Sequence, residues 1–191
     1  TFRPKLTLQY DLASNMFLRL KGEVYNTSPS LSSLSAIDQY IDTLQIRRGN
    51  PDLTPNLNST TNCLFSWRKG TYGINFSTYY QYSRKPIMEE IFLENGLFIN
   101  TNDNQKSWQK LNSELTLNGD ISKSYLSASL TGWVNRIISK GNIYTHTHTN
   151  FYYRMQLMAR YKSLMGLFQA NSEYNNLWGE SLNGGENIHL A

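Results

Sequence analysis

The feature that most constrains this chain is an alternation of apolar and polar residues that persists over segments of about ten residues. Leu6, Leu8 and Tyr10 alternate with Lys5 and Gln9 near the beginning of the chain, and the later segments repeat the pattern. A period of two places successive side chains on opposite faces of an extended strand. The sequence therefore predicts an all-β fold.

The alternation delimits eight strands, and their connections differ in length. Short turns lie near residues 13–15, 69–71, 119–124 and 162–164, and they alternate with long segments near 26–54, 84–109, 136–149 and 175–191. Antiparallel hairpins return the chain at each turn, so all long connections are expected at one end of the sheet. We predict an antiparallel meander of about eight strands, over residues 2–12, 16–25, 55–68, 72–83, 110–118, 125–135, 150–162 and 164–174.

Length and composition exclude several classes of protein. A chain of 191 residues is expected to form a single domain over residues 1–191, and the one cysteine, Cys63, excludes an internal disulfide framework. The net charge of +4, from 18 basic and 14 acidic residues without a basic run, argues against nucleic-acid binding. No apolar stretch approaches the roughly 20 residues of a membrane-spanning helix. No catalytic motif and no cofactor motif is present, so we expect a protein that is not an enzyme and needs no cofactor.

The alternation fits two environments, a soluble sandwich or a membrane barrel, because each has one apolar and one hydrated face. Aromatic residues favour the barrel: Tyr72 and Tyr80 bracket one apolar row, and Tyr153 and Tyr161 bracket another. The charged residues of the strands fall on the opposite parity. In a barrel they would face a water-filled lumen, and the candidates are Arg19, Lys21, Glu23, Glu114, Arg154, Arg160 and Lys162.

A segment before the third strand carries a specific motif. Residues 45–55 read QIRRGNPDLTP, with Gly49, Asn50, Pro51, Leu53 and Pro55 as its marked positions. Asn-Pro starts a turn, Gly49 permits a positive φ, and Pro55 can open a strand, so these residues are expected to position the chain rather than to bind substrate. The motif resembles the G-N-P-x-L-x-P loop-to-strand signature of TonB-dependent outer-membrane receptors, particularly the Bacteroidetes-type β-barrel region.

The resemblance implies a part of a larger transmembrane barrel. Such receptors resemble barrels of about 22 strands, so eight strands would be a C-terminal-half segment without the plug domain. The implied function is TonB-dependent nutrient uptake across a Gram-negative outer membrane, with a glycan, siderophore, cobalamin or peptide as substrate. The implied partners are membrane lipid, the TonB complex through the plug segment, and a surface lipoprotein. The alternative from another class is a soluble all-β carbohydrate-binding module.

Two clusters of titratable side chains lie within the long connections, one of histidines and one of glutamates. His146 and His148 in Thr-His-Thr-His-Thr would point to one side of an extended chain and could share a metal ion, although a polar, solvated segment is the simpler interpretation. Glu89, Glu90 and Glu94 are expected to be solvated loop charges near Asn95-Gly96, a dipeptide typical of tight hairpin turns. Long connections with Tyr25, Tyr40, Tyr144, Trp108 and Trp178 are expected to form the ligand-facing surface.

Overall fold

A computed structural model describes residues 3–122, 125–172, 174–178 and 181–185. Extended strands dominate these residues, and a short helix, α1 (Leu31–Leu34), follows the second strand. In chain order the strands are β1 (Lys5–Ala13), β2 (Met16–Thr27), β3 (Gln39–Tyr40), β4 (Gln45–Arg47), β5 (Asn56–Lys69), β6 (Tyr72–Arg84), β7 (Ile87–Glu94), β8 (Leu97–Asn104), β9 (Ser107–Ser122), β10 (Leu126–Lys140), β11 (Thr145–Tyr161), β12 (Leu164–Asn171), β13 (Tyr174–Trp178) and β14 (Ser181–Gly185).

The main sheet is an antiparallel meander in the order β1-β2-β5-β6-β9-β10-β11-β12, which makes eight strands among the described residues. Each strand pairs with its predecessor in this order through an antiparallel register, as the alternation predicts. The strands skipped in the order belong to the long connections or, for β13 and β14, to a separate hairpin after β12. The predicted fold class and all eight predicted strands are confirmed.

Strands β9, β10 and β11 are longer than the sequence pattern predicts. The expected long segment at residues 136–149 is wrong: β10 continues to Lys140, residues 141–144 turn the chain, and β11 begins at Thr145. The apolar row ends where Arg136 and Lys140 replace it on the outward face, so hydrophobic periodicity gives no signal there. Alternating threonines still favour extended backbone because β-branched residues suit a pleated sheet.

The long connections build a second, smaller sheet, here called the accessory sheet, in the order β3-β4-β8-β7. Strands β4 and β8 pair in parallel, whereas β7 and β8 form a hairpin turned by Asn95 and Gly96, with φ of 52° and 82°. Positive φ at both central residues is the geometry that the Asn-Gly dipeptide predicts. Glu89, Glu90 and Glu94 lie in β7 of this hairpin, so their assignment to a loop is wrong.

The apolar core lies between the accessory sheet and the polar face of the main sheet. Met88 of β7 packs with Trp108 of β9 and Ile137 of β10, and Trp108 is only 4% exposed. The prediction that Trp108 belongs to a ligand-facing surface is therefore wrong. Its register partners, Ser83 and Ser139, show that the indole projects from the face opposite the apolar rows, beneath the accessory sheet.

Candidate functional site

The outward face of the main sheet is a continuous apolar surface that no other described element covers. The register places Leu18, Phe65, Phe76 and Leu115 side by side on four successive strands. Phe76 is 41% exposed and Leu130 is 47% exposed, so these side chains are not the core of a sandwich. Soluble monomers rarely expose apolar patches larger than a few hundred Å². We name this surface the apolar belt, made of Leu8, Leu18, Leu20, Phe65, Phe76, Leu115, Leu117, Leu130, Met155, Leu157 and Phe168.

Charged and aromatic residues border the apolar belt. On its own face, Lys69 lies at the short-turn end, and Arg84, Arg136 and Lys140 lie at the long-connection end. The ten-residue step from Tyr72 to Tyr82 in β6 spans about 33 Å along the strand, or about 25 Å for a tilt of about 40°. That height matches the apolar band of outer-membrane barrels.

Tyrosines at the belt borders keep their rings on the surface and bond their hydroxyls. The Tyr72 hydroxyl donates to the Asp120 carbonyl oxygen at 3.1 Å, and the Tyr80 hydroxyl donates to Gln109 Oε1 at 3.2 Å. Rings of this kind have an apolar body and a polar tip, which suits the boundary between acyl chains and water. None of the described helices is long and apolar enough to cross a membrane.

The opposite face of the main sheet, here called the polar wall, carries the predicted charged residues. Register pairs put Arg19, Lys21, Glu23, Glu114, Arg154 and Arg160 on this face. Several have local partners: Lys5 Nζ lies 3.1 Å from Glu23 Oε1, and Arg19 donates to Gln9 Oε1 at 2.9 and 2.7 Å. Lys162 lies in the turn after β11, with its Nζ 5.4 Å from the ring centroid of Tyr161. The charges are therefore spread along the wall.

An aromatic stack on the polar wall is a feature that the sequence analysis missed. Trp133 and Tyr152 are register partners, and their rings lie 4.8 Å apart with an interplanar angle of 10°. The Arg154 guanidinium lies 5.5 Å from the Trp133 centroid, and Arg154 Nε donates to Asn171 Oδ1 at 3.0 Å. Glu114 is the other register partner of Trp133. The available signal was an indole and a phenol on the charged parity of adjacent strands.

A polar groove of about 230 Å³ lies on the accessory sheet. Side chains from both long connections line it, and most of them carry hydrogen-bonding groups. The lining comprises Ser32, Ser33, Ser35, Ile37, Gln39, Arg47, Arg48, Gly49, Glu89, Asn100 and Asn102. A larger and more open hollow of about 950 Å³, lined by Asp11, Phe17 and Arg68, lies at the short-turn end.

Ion pairs hold one edge of the groove. Arg48 donates through Nε and Nη2 to the Asp38 carboxylate at 2.7 and 3.0 Å, and its Nη1 donates to Glu94 Oε2 at 3.0 Å. The hydrogen bond from Arg48 lowers the pKa of Asp38, and the bonds to Asp38 and Glu94 raise the pKa of Arg48. This bidentate pairing fixes the guanidinium plane and with it the start of the Gly49 segment.

The Gly-Asn-Pro motif ties the two long connections together beside the groove. Gly49 N donates to the Ser35 carbonyl oxygen at 2.9 Å, and Asn50 N donates to the Ser33 carbonyl oxygen at 2.7 Å. The Asn50 side chain accepts from Asp52 N at 3.0 Å and donates to the Asn102 carbonyl oxygen at 3.2 Å. The motif is therefore bonded to β8, to Ser33 in α1 and to Ser35 just after α1.

Three further motif positions complete the connection. Leu53 is buried, Pro51 is exposed in the turn, and Pro55 immediately precedes β5. Between Leu53 and Pro55, Thr54 N donates to Asn104 Oδ1 at 2.7 Å. Asn104 in turn donates to the carbonyl oxygens of Thr54 and Lys85 at 3.0 and 2.9 Å. One amide side chain thus joins the ends of both long connections.

Gly49 serves a purpose other than the predicted one. Its φ does not lie in the left-handed region, where Gly70 and Gly96 are found. A Cβ at Gly49 would instead lie 2.8 Å from both the Ser33 carbonyl oxygen and the Ser35 nitrogen, and closer still to the Ser35 carbonyl oxygen. Close backbone approach, rather than a special dihedral angle, excludes a side chain here.

His146 and His148 lie in β11 on the polar face, beneath the accessory sheet. Their register partners are Ser139 and Ile137 of β10. Among the residues that the structure describes, no three His, Cys, Asp or Glu side chains are placed to hold a metal ion together. Tyr40 and Tyr144, two of the predicted ligand-facing aromatics, are exposed at the long-connection end, Tyr25 lies in β2, and the Trp178 side chain is outside the described residues.

Comparison with known proteins agrees with the two-faced sheet. The family model for the outer membrane protein beta-barrel family matches residues 1–181. A search of curated proteins gave no match. The exposed apolar belt, its charged and aromatic borders and the polar wall behind it are the features expected of such a barrel wall. The chain belongs to the outer membrane protein beta-barrel family, and it resides in the outer membrane.

Proposed function

We propose that this chain forms part of the barrel of a TonB-dependent uptake receptor, with a non-enzymatic role in nutrient transport. The observation that carries the proposal is the arrangement of three surfaces: the apolar belt, the polar wall behind it, and the polar groove at the long-connection end. In outer-membrane barrels the short turns are periplasmic and the longer connections are extracellular. The groove would therefore meet solute outside the cell.

The groove supports capture of a hydroxyl- or amide-rich solute. Gln39 and Asn102 offer amide donors and acceptors, Arg47 adds a positive charge, and Glu89 adds a negative charge whose Oε1 accepts from Asn100. These groups suit a glycan or a peptide better than an apolar compound. Siderophores and cobalamin belong to the same proposed range, because both present many polar atoms.

The polar wall supports the next step of the proposal. Beyond the groove, a polar solute would meet charged residues and the Trp133–Tyr152 stack with its Arg154 cap. A flat aromatic surface beside charged and amide groups binds sugars and other amphipathic molecules. A plug segment would close this route until the TonB complex acts on it, and a surface lipoprotein would cover the groove.

The experiment compares what cells consume. Strains that lack this receptor, and strains that lack TonB, are grown on a complex mixture of glycans and peptides, and the solutes left in the medium are identified by mass spectrometry. The strain without TonB should leave several classes of solute in the medium. The strain without the receptor should leave only some of these same solutes, because one transporter serves one class of solute. The proposal is wrong if the strain without the receptor consumes everything that the wild type consumes. It is also wrong if the only solutes that this strain leaves are ones that the strain without TonB still takes up.

A soluble carbohydrate-binding module is not favoured, because its apolar face would be buried rather than exposed as a belt. Cell fractionation separates the two functions. The receptor should partition with outer-membrane vesicles and require detergent for extraction, whereas a module would be released with the periplasm.

A further inference from the structure

The charged side chains on the belt face of the main sheet all have the same sign. Within the eight described strands, this face carries Lys69 at the short-turn end and Arg84, Arg136 and Lys140 at the long-connection end. No acidic residue of these strands shares the face. The polar wall, in contrast, mixes both signs and includes carboxylates such as that of Glu23. A single sign beside the belt points to an anionic partner rather than to simple solvation.

The three cations at the long-connection end of the belt face are here called the basic rim. Arg84, Arg136 and Lys140 are exposed, and none of their side chains forms a hydrogen bond or an ion pair among the described residues. Arg48 on the accessory sheet is held by Asp38 instead. The charged groups of the basic rim are therefore available for charge-assisted hydrogen bonds, and phosphate is an acceptor that both arginine and lysine bind well.

The register sets the size of the basic rim. Arg84 and Lys140 are both partners of Ser107, so their backbones lie two strand spacings apart, or about 10 Å. Arg136 precedes Lys140 by four residues on the same face of β10, a step of about 13 Å along the strand. Because arginine and lysine carry their charge at the end of a long, flexible stem, the three charged groups can reach one phosphorylated headgroup.

The basic rim lies where lipid headgroups begin. Tyr80 and Arg136 are both register partners of Leu111, so Arg136 lies beside the tyrosine border of the apolar belt. Arg84 and Lys140 lie four residues beyond Tyr80 and Arg136, toward the long-connection end. In outer-membrane barrels the aromatic girdle marks the boundary between acyl chains and headgroups. The rim is therefore at headgroup level or just above it.

The long connections identify the leaflet. They are extracellular in outer-membrane barrels, so the basic rim faces the outer leaflet. A free anion would contact the rim alone, whereas a lipid would also cover the apolar belt below it. We propose that Arg84, Arg136 and Lys140 bind the phosphate groups of a phosphorylated lipid in the outer leaflet, with its acyl chains against the belt. This site requires only the membrane wall and does not depend on the uptake role.

Native mass spectrometry of the full-length protein in dodecyl maltoside micelles measures this binding. The probes are lipid A, which carries phosphate groups on its sugars, and lipid A from which a phosphatase has removed them. We expect the wild type to bind the phosphorylated form more tightly. The triple variant Arg84→Gln, Arg136→Gln, Lys140→Gln should lower its affinity about a hundredfold, since each cation near anionic lipid contributes about fivefold.

The matched control removes the same residue types from the polar wall. Arg68, Arg160 and Lys21 project from that face, and their replacement by glutamine should leave lipid A binding as in the wild type. A mobility shift between unheated and heated gel samples establishes that each triple variant folds. If the rim triple variant does not fold, Arg136→Gln alone carries the test and should lower the affinity about fivefold.

Three outcomes would overturn the site. Equal binding of lipid A before and after dephosphorylation would mean that acyl chains alone hold the lipid. Equal losses in the two triple variants would mean that net charge, rather than the basic rim, attracts it. Displacement of lipid A by an equal concentration of inorganic phosphate would mean that the rim binds a free anion and not a lipid.

Discussion

Gly49 lies where two parts of the connection between β2 and β5 pack closely against each other. Its amide donates to the Ser35 carbonyl oxygen, and Arg48 before it is held by Asp38 and Glu94. Asn50 after it reaches across to Asn102. Single residues therefore position the groove through the close packing of two backbone segments at Gly49 and through side-chain hydrogen bonds such as that of Arg48 with Asp38. Substitutions can test both.

Gly49→Ala should destabilise the accessory sheet by about 1 to 3 kcal/mol, because the new Cβ would overlap backbone atoms that cannot move aside independently. Protease sensitivity of residues 28–55 and the urea dependence of that cleavage measure the change. Gly132→Ala is the control, since an added Cβ there meets nothing within 4 Å among the described residues. Equal effects of the two substitutions would contradict the close-approach explanation.

Acidification should loosen the edge of the groove. The Arg48 hydrogen bond lowers the pKa of Asp38 below its ordinary value of 3.8, so the folded state favours the ionised carboxylate. The resulting stabilisation is complete above pH 3.8 and is lost as the pH falls through the lowered pKa. The protection factors of the amides in residues 37–48, which remove the intrinsic pH dependence of exchange, should stay high at pH 5 and fall only below pH 3.8.

Replacement of the arginine supplies the comparison for the pH test. In Arg48→Gln the pKa of Asp38 should return toward its ordinary value of 3.8, so protection of this segment should already be lower than in the wild type at pH 5 and should show no further loss due to Asp38 below pH 3.8. If both proteins lose protection at the same pH, the pair does not hold the segment.

At the scale of the elements, the extended strands are what the sequence predicts best. The eight strands follow from the alternation. One face of the sheet must stay apolar over its whole length, so apolar residues recur at every second position of a strand. Of the accessory sheet only the Asn95-Gly96 turn was indicated, since β3 and β4 have two and three residues and the pairing of β4 with β8 joins segments far apart in the chain. Short, non-local pairings leave no periodic signal.

Leu130→Arg should prevent stable insertion of the main sheet. Leu130 lies midway along the belt part of β10, where an arginine facing lipid costs about 2 to 4 kcal/mol. Ser129→Arg, one residue away on the polar wall, should cost far less because its side chain meets water. The folded fraction in phosphatidylcholine vesicles, read as a mobility shift between unheated and heated gel samples, distinguishes the two variants. Equal losses would show that both faces meet the same environment.

At the scale of the molecule, the main sheet ends in β1 on one side and in β12 on the other. Among the described residues, β1 pairs only with β2, and β12 pairs only with β11. Unpaired strand edges invite further pairing because their backbone groups lack partners. Neighbouring strands are all antiparallel, so the first and the last of the eight run in opposite directions and have compatible edges.

The 191-residue chain, purified in detergent, should therefore associate as its concentration rises, through β1 of one copy and β12 of another. Light scattering coupled to size exclusion measures the mass of the protein in the micelle. A monomer at every concentration would show that the edges are satisfied within one chain.

The candidate site was less predictable than the sheet. The motif at residues 49–55 marked the correct segment, but the reason for Gly49 was wrong because no local pattern reports how closely two backbones pass. The groove depends on a tertiary contact between two connections, and the burial of Met88 depends on the contact of one of them with the main sheet. The aromatic stack needed only the correct parity, which the alternation already supplied.

Asn104 joins Thr54, at the end of one long connection, to Lys85, at the start of the other. An exchange of only one of these connections between related barrels would leave Asn104 or its Thr54 partner without the matching hydrogen-bonding group. Transfer of ligand recognition between related barrels should therefore move residues 28–55 and 85–106 together, as one unit.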